Sequence, residues 1–258
     1  MKTWAATPDP TGWGSPMTET ILGIDTSSRV CVGLARDGQP LASRAAGDSR
    51  SHVELLVPTL EALLDSADLG AAELTGVAIG MGPGPYTGLR AGVATAQMLA
   101  ESWGLRLYQV CSLDVVGLGW ALTNPPGDFV ACSDARRKEL YWGVYDRFGQ
   151  RLQGPFVSPP ADLPKLPCVG PGTLVHPRAG AGMDSFLAVK LGVRIDRFEP
   201  KWPDLAEVQD IVGIDAALMA AYAPALVDVG PEPLYLRHAD TAPARPAKSV
   251  LAGRGRWS

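Results

Sequence analysis

The chain lacks most of what would mark it as a stand-alone catalyst or nucleic-acid binder. Its 258 residues carry 23 lysines and arginines against 27 aspartates and glutamates, a formal net charge of -4, and no basic run that would neutralise a phosphate backbone. Tight binding to RNA or DNA by this chain alone is therefore not expected, although a complex containing it can bind RNA. No stretch approaches eighteen uncharged apolar residues, so no membrane span is expected. Residues 1–18 lack an apolar core of the signal-peptide kind and read as a loose, disordered extension. The four cysteines, Cys31, Cys111, Cys132 and Cys168, include no CxxC pair. They read as lone buried thiols in a reducing cytoplasm. There are only three histidines, His52, His176 and His238. No HExxH, HxxxH or GxSxG occurs, so neither a protein-built transition-metal site nor a hydrolase nucleophile is expected.

What is abundant is glycine, concentrated in the segment from Ile79 to Gly92, IGMGPGPYTGLRAG. Ordering that many glycines costs backbone entropy, so the loop must hold a defined shape. It is not a Walker A loop, because no GK[ST] follows, and it is not a GxGxxG turn opening a dinucleotide fold. Two readings stand: an anion cradle at a helix start, or a rigid turn that sets a close approach. In the first, Gly84, Thr87 and Gly88 offer backbone N–H groups and Arg90 adds charge. The Asp25–Thr26–Ser27–Ser28 turn is similarly open. Asp25, Thr26 and Ser27 can surround a phosphate or hold Mg²⁺ through water, or they form an ordinary Asx-type turn.

The order of elements is distinctive. Ile21–Asp25, Val30–Ala35 and Gln39–Ala45 read as an antiparallel meander with a hairpin turn at Asp37–Gly38. A helix over His52–Leu64 follows, with Ser51 and Glu54 as a capping box and Pro58 expected to kink it or split off its first turn. Its main face carries Val53, Leu56, Leu60, Leu63 and Leu64. Leu55, Thr59 and Ala62 form a second face. An apolar strand over Leu74–Met81 and the glycine loop lead to a helix over Leu89–Trp103. There Leu89, Val93, Ala96, Ala100 and Trp103 make one stripe, while Ala91, Ala94, Thr95 and Met98 line much of the rest. Small residues on both sides imply close approach on both, one to the sheet and one to something else. Leu105–Val110 is a further strand. Phe129–Cys132, Glu139–Tyr145 and Gln150–Val157 read as strands of a smaller second domain, and Val208–Tyr222 as a helix weakened at Gly213. Pro231–Arg237 reads as a short extended end. The charged turn of Asp134, Arg136, Arg137, Lys138 and Glu139 is a solvated hairpin or a binding surface.

ILGIDTSS, SHVELLVPTLEALL, TGVAIGMGPGPYTGLRAGVATAQMLA, CSLDVV, SDARRKELYWGVYD and PLYLR together resemble the TsaB family, also called YeaZ, over roughly residues 20–240. The family usually has Ser-Phe where Pro85–Tyr86 stand here. The resemblance implies an α/β actin-like ATPase fold (ASKHA, ribonuclease H-like) with two lobes. They would be 19–117 plus 206–238, and 118–205, with 239–258 a disordered tail. It implies a non-catalytic scaffold that binds TsaD, with TsaE, in forming N6-threonylcarbamoyladenosine at position 37 of tRNAs reading ANN codons. TsaD carries its metal on an HxxxH helix. At the matching place this chain has His52 and Leu56, which supports a non-catalytic paralogue. Docking would use the second helix faces, with His52, Leu55, Thr59, Ala62, Ala91, Ala94, Thr95 and Met98 at the partner interface. It further implies a homodimer when TsaD is absent, tRNA contact only through the complex, no DNA and no membrane. No cofactor is required by this chain, and ATP or ADP with Mg²⁺ has a place at the junction with TsaD. The rival reading is an autonomous actin-like ATPase or phosphotransferase, with a peptidase last.

Overall fold

The computed structural model describes residues 19–47, 52–175 and 213–237. Two sheets organise them. The first has the order β3-β2-β1-β4-β5 and is built from β1 (Thr20–Asp25), β2 (Val30–Arg36), β3 (Gln39–Ala46), β4 (Gly76–Gly80) and β5 (Arg106–Val110). Strands β1 to β3 form the expected meander, turning at Asp37 and Gly38 with φ of 51° and 72°. Positive φ at both central residues matches the twist of a two-residue hairpin. Strand β4 joins β1 in parallel and β5 joins β4 in parallel. Both connections cross over through helices, as parallel strands require.

Helix α1 (His52–Ala67) and helix α2 (Tyr86–Trp103) cover one face of this sheet. Leu56, Leu60 and Leu63 of α1 and Val93, Ala96 and Ala100 of α2 share a core with Leu22, Ile24, Val32, Val77 and Ile79. Each large aliphatic side chain fully buried here contributes roughly 1.5–3 kcal/mol. Helix α1 runs on through Pro58, which therefore does not split off the first turn, and ends three residues later than the periodicity indicates. Pro58 stands on its exposed side, where the bond that a proline removes belongs to a carbonyl that water can reach. Helix α2 begins at Tyr86 rather than Leu89, with Pro85 at its N-cap. Trp103 is 36% exposed and does not belong to the buried stripe. Ser51, the expected cap of α1, lies outside the described residues, as do His176, His238, residues 208–212 and both terminal tails.

Helix α3 (Ser112–Ala121), which sequence periodicity does not single out, joins the first sheet to the second. The second sheet has the order β8-β7-β6-β9, from β6 (Phe129–Asp134), β7 (Leu140–Tyr145), β8 (Arg151–Ser158) and the two-residue β9 (Cys168–Val169). A short helix α4 (Gly172–Val175) follows β9. Leu113, Val115 and Val116 of α3 are buried with Phe129, Ala131 and Tyr145. Gly117 lets α3 approach the Tyr145 ring, which a Cβ at that position would meet at 2.7 Å. Asp114, 5% exposed, accepts a hydrogen bond from the Tyr145 hydroxyl at 2.8 Å and pairs with Arg151 at 3.3 Å. Burial lifts the Asp114 pKa and the Arg151 charge opposes that rise.

Helix α5 (Ala216–Tyr222) closes the opposite face of the first sheet, capped by Asp215, whose carboxylate accepts from the Ala217 and Leu218 amides. Its seat is a pair of glycines facing each other across β1 and β2, Gly23 and Gly33. A Cβ on Gly23 would lie 2.0 Å from the Ala216 carbonyl oxygen, and one on Gly33 2.1 Å from the Ala217 nitrogen. The segment Pro231–Arg237 forms no strand, but it straps the two sheets together. The Leu234 amide donates to the Met81 carbonyl at 2.8 Å, and the Arg237 guanidinium donates to the Ala135 carbonyl at 2.7 Å and pairs with Glu139.

Candidate functional site

The parallel strands β1, β4 and β5 end at one edge of the first sheet, where the Asp25–Ser27 turn, the glycine loop and the start of α3 converge. Crevices outside the carboxyl ends of parallel strands are the usual ligand position in α/β folds. Here the crevice is filled by its own side chains. Asp25, Thr26 and Ser27 are 0%, 0% and 5% exposed. One Asp25 carboxylate oxygen accepts from the Ser27 amide at 2.8 Å and the Ser27 hydroxyl at 2.7 Å. The other accepts from the Ser112 hydroxyl at 2.5 Å. Ser112 in turn accepts from the Gly82 amide at 3.1 Å. The Thr26 hydroxyl donates to the Gly88 carbonyl in the first turns of α2, at 2.8 Å.

The glycines make this wedge possible. A Cβ at Gly80 would fall 1.8 Å from an Asp25 oxygen, one at Gly84 2.6 Å from the Ser27 carbonyl oxygen, and one at Gly92 2.2 Å from the Thr26 hydroxyl. The loop thus brings Asp25, Thr26, Ser27, Gly84 and Gly88 together. It does not bring Arg90 to them. The Arg90 guanidinium lies 5.2 Å from the Tyr86 ring centroid and donates to the Tyr86 hydroxyl at 3.1 Å. Thr87 is exposed in the first turn of α2. Among the described residues no group of three or more His, Cys, Asp or Glu side chains is placed to hold a metal ion.

Ser112→Ala is expected to cost about 1–3 kcal/mol, because it leaves a buried carboxylate oxygen and the Gly82 amide each short of a partner. Urea denaturation would measure it, with Thr87→Ala as the exposed control that leaves the midpoint unchanged.

The second candidate surface is the outer side of α1 and α2. Leu55 and Thr59 are half-buried and Ala62 is exposed. The Thr59 hydroxyl donates to the Leu55 carbonyl at 2.6 Å, so the methyl rather than the hydroxyl is left for contact. On α2, Ala91 and Thr95 are half-buried and Ala94 is exposed, while Met98 is 58% exposed. His52 starts α1, and its side chain lies outside the described set. Two residues that the sequence reading missed extend this surface. Tyr86 stands four residues before Arg90, eight before Ala94 and twelve before Met98, on one stripe. Tyr235, from the distant strap, packs on Tyr86 with ring centroids 4.8 Å apart. The spacing alone locates Tyr86; nothing local in the sequence locates Tyr235.

A family model described as "TsaD: tRNA N6-adenosine threonylcarbamoyltransferase" matches residues 46–195. A Mycobacterium tuberculosis protein described as uncharacterized is 38% identical over 227 residues, covering 87% of this chain and 94% of that protein. The tRNA threonylcarbamoyladenosine biosynthesis protein TsaB of Escherichia coli is 33% identical over 128 residues, 49% of this chain and 55% of that protein. The match thus spans about half the length of that curated TsaB relative. The solved structure of YeaZ from Pseudomonas aeruginosa superposes with a TM-score of 0.60 at 24% identity, covering 84% of this chain and all of that one, which establishes the shared α/β fold. From these matches and the shared fold, the chain belongs to the TsaB/YeaZ family, which is homologous to the TsaD family.

Proposed function

We propose that this chain is the non-catalytic subunit that docks a TsaD-type protein, together with a TsaE-type protein, in forming N6-threonylcarbamoyladenosine at position 37 of ANN-decoding tRNAs. The observation that carries the reading is the two-sided character of α2. Val93, Ala96 and Ala100 are sealed against the sheet and Leu89 is buried, while Ala94 and Met98 on the opposite side are open. Small residues there allow a partner helix close approach. Helices α1 and α2 together offer enough face for an interface of about 1,600 Å². In the absence of TsaD the same faces pair two copies of the chain. The architecture is taken as the actin-like one, with lobes 19–117 plus 206–238 and 118–205. The complex works in the cytoplasm and reaches tRNA as a whole.

The site chemistry supports a role without intrinsic catalysis. Leu56, at the place of the second histidine of an HxxxH helix, is a core side chain at 1% exposure. The hydroxyls of Thr26, Ser27 and Ser112 are directed to protein acceptors. These residues alone do not present a phosphate cradle. ATP or ADP with Mg²⁺ at the junction would draw its ligands mainly from the partner, and no step is assigned to it here.

Reconstitution tests the proposal. The chain is combined with the TsaD- and TsaE-type proteins of its own organism, threonylcarbamoyl-adenylate and tRNA. Modified adenosine should form at least tenfold faster with the chain than without it. Calorimetric titration of the chain alone with Mg·ATP should show neither micromolar binding nor turnover. Equal modification without the chain, or turnover by the chain alone, would overturn the assignment.

A further inference from the structure

All four cysteines are buried free thiols, as the sequence suggests, and the fold sets two of them side by side. Strand β9 joins β6 in parallel, with Val130 opposite Cys168 and Ala131 opposite Val169. That register puts Cys132 and Cys168 on the same face of the sheet, where they belong to one buried cluster with Val130, Leu140 and Trp142. Their sulfurs are 3.2 Å apart. No spacing rule in the sequence links residues thirty-six apart; a two-residue strand does.

We propose that Cys132 and Cys168 are a site of reversible oxidation, forming an intramolecular disulfide that fastens β9 to β6. A disulfide needs the sulfurs at about 2.05 Å, so each has to move by only about half an ångström or slightly more. The two positions differ in access. Cys168 lies on β9, two residues long and outermost in the sheet among the described residues, and keeps 7% exposure. Cys132 is fully buried, with the Gly172 position behind it so close that a Cβ there would meet its sulfur at 2.9 Å. Its contact with Cys168, and then burial, push the Cys132 thiol pKa up. Cys168 therefore meets the oxidant and Cys132 resolves.

With hydrogen peroxide as the oxidant, the Cys168 sulfur attacks one peroxide oxygen and gives up its proton. The O–O bond breaks, hydroxide leaves and is protonated to water, and Cys168 becomes a sulfenic acid. The Cys132 sulfur then attacks the Cys168 sulfur. The S–O bond breaks, and the departing hydroxide takes the Cys132 thiol proton as a second water. Two thiols lose two electrons in all and one peroxide gains them. Cys31 and Cys111 are both fully buried with pKa values pushed up to about 12, chiefly by burial, and give a comparison within the same molecule.

The test uses the full chain as purified. It is treated with graded hydrogen peroxide, alkylated under denaturing conditions and mapped by peptide mass spectrometry, with and without subsequent dithiothreitol. The expected result is a Cys132–Cys168 linked peptide as the main oxidation product, with loss of two hydrogens from the intact mass. The link disappears on reduction, and Cys31 and Cys111 remain alkylated throughout. Cys168→Ser should remove the link and leave Cys132 alkylated. If that variant does not fold, the map of the unsubstituted chain decides the matter by itself. Full alkylation of Cys132 and Cys168 after peroxide, or links between molecules in place of the internal one, would overturn the proposal.

Discussion

Ala94→Arg is expected to remove the TsaD-type partner from a co-purification while leaving the melting temperature of the chain within about a degree at dilutions where it is monomeric. Ala94 is exposed on α2, so the new side chain meets only solvent in the monomer. In the complex proposed here it stands where a neighbouring helix comes close. A desolvated, unpaired guanidinium costs on the order of 3–5 kcal/mol. That corresponds to at least a hundredfold loss of affinity. Ala96→Arg separates docking from folding. Ala96 is 0% exposed, between α2 and the sheet, so arginine there should unfold the chain whatever its partners. Sequence periodicity puts these two alanines on different stripes, and the burial of α2 shows which stripe is turned to the sheet. A complex that survives Ala94→Arg with unchanged affinity places the interface elsewhere. Calorimetry on the purified pair and a thermal melt of the single chain make both measurements.

Gly33→Val should be among the most damaging substitutions on the first sheet, costing about 3 kcal/mol or more and leaving little folded protein at 37 °C. Overpacked cores ordinarily lose 1–3 kcal/mol when neighbouring side chains can adjust. At Gly33 the obstacle is the helix backbone itself, with three atoms of Ala216 and Ala217 within 2.6 Å of where a Cβ would be. Helix α5 cannot retreat without exposing Ala216, Met219 and Ala220, all 0% exposed. Gly104→Ala makes a useful contrast. That glycine has φ of 65°, but nothing lies within 4 Å of its Cβ position. Its cost is conformational and of order 1 kcal/mol. Circular dichroism under denaturant should rank the two clearly, and equal effects would mean that α5 does not bear on the sheet as described.

How far these features were readable from sequence depends on whether the cause is local. The meander was readable, because Asp37–Gly38 announces a turn and the flanking apolar runs have strand length. The inner stripe of α2 was readable down to Ala100, because a 3.6-residue period records which side is buried. Helix α3 was not, since six of its first residues, Ser112 to Gly117, are all buried and give no polar side to set a phase. The continuity of α1 at Pro58 is not legible locally, because local rules assign the cost of a lost bond without knowing that water reaches that side. At the site, the Asp25 turn and the glycine loop were both recognised. What lay beyond reach was their mutual occupancy. Ser112, which donates to Asp25, is eighty-seven residues away. Arg90 reads from sequence as a charge in a first turn, yet its partner is the tyrosine one turn earlier, a relation contained in the four-residue spacing.

The stretch from 213 to 237 supplies both the lid of the first sheet and the tie between Met81 and Ala135. During synthesis, then, β1 and β2 wait with a bare glycine groove until Ala216 has cleared the ribosome. Nascent chains stopped earlier should be open to proteases along both sheets at once. Maturation of this molecule is governed from its far end, and fragments ending before that point should not accumulate as folded protein.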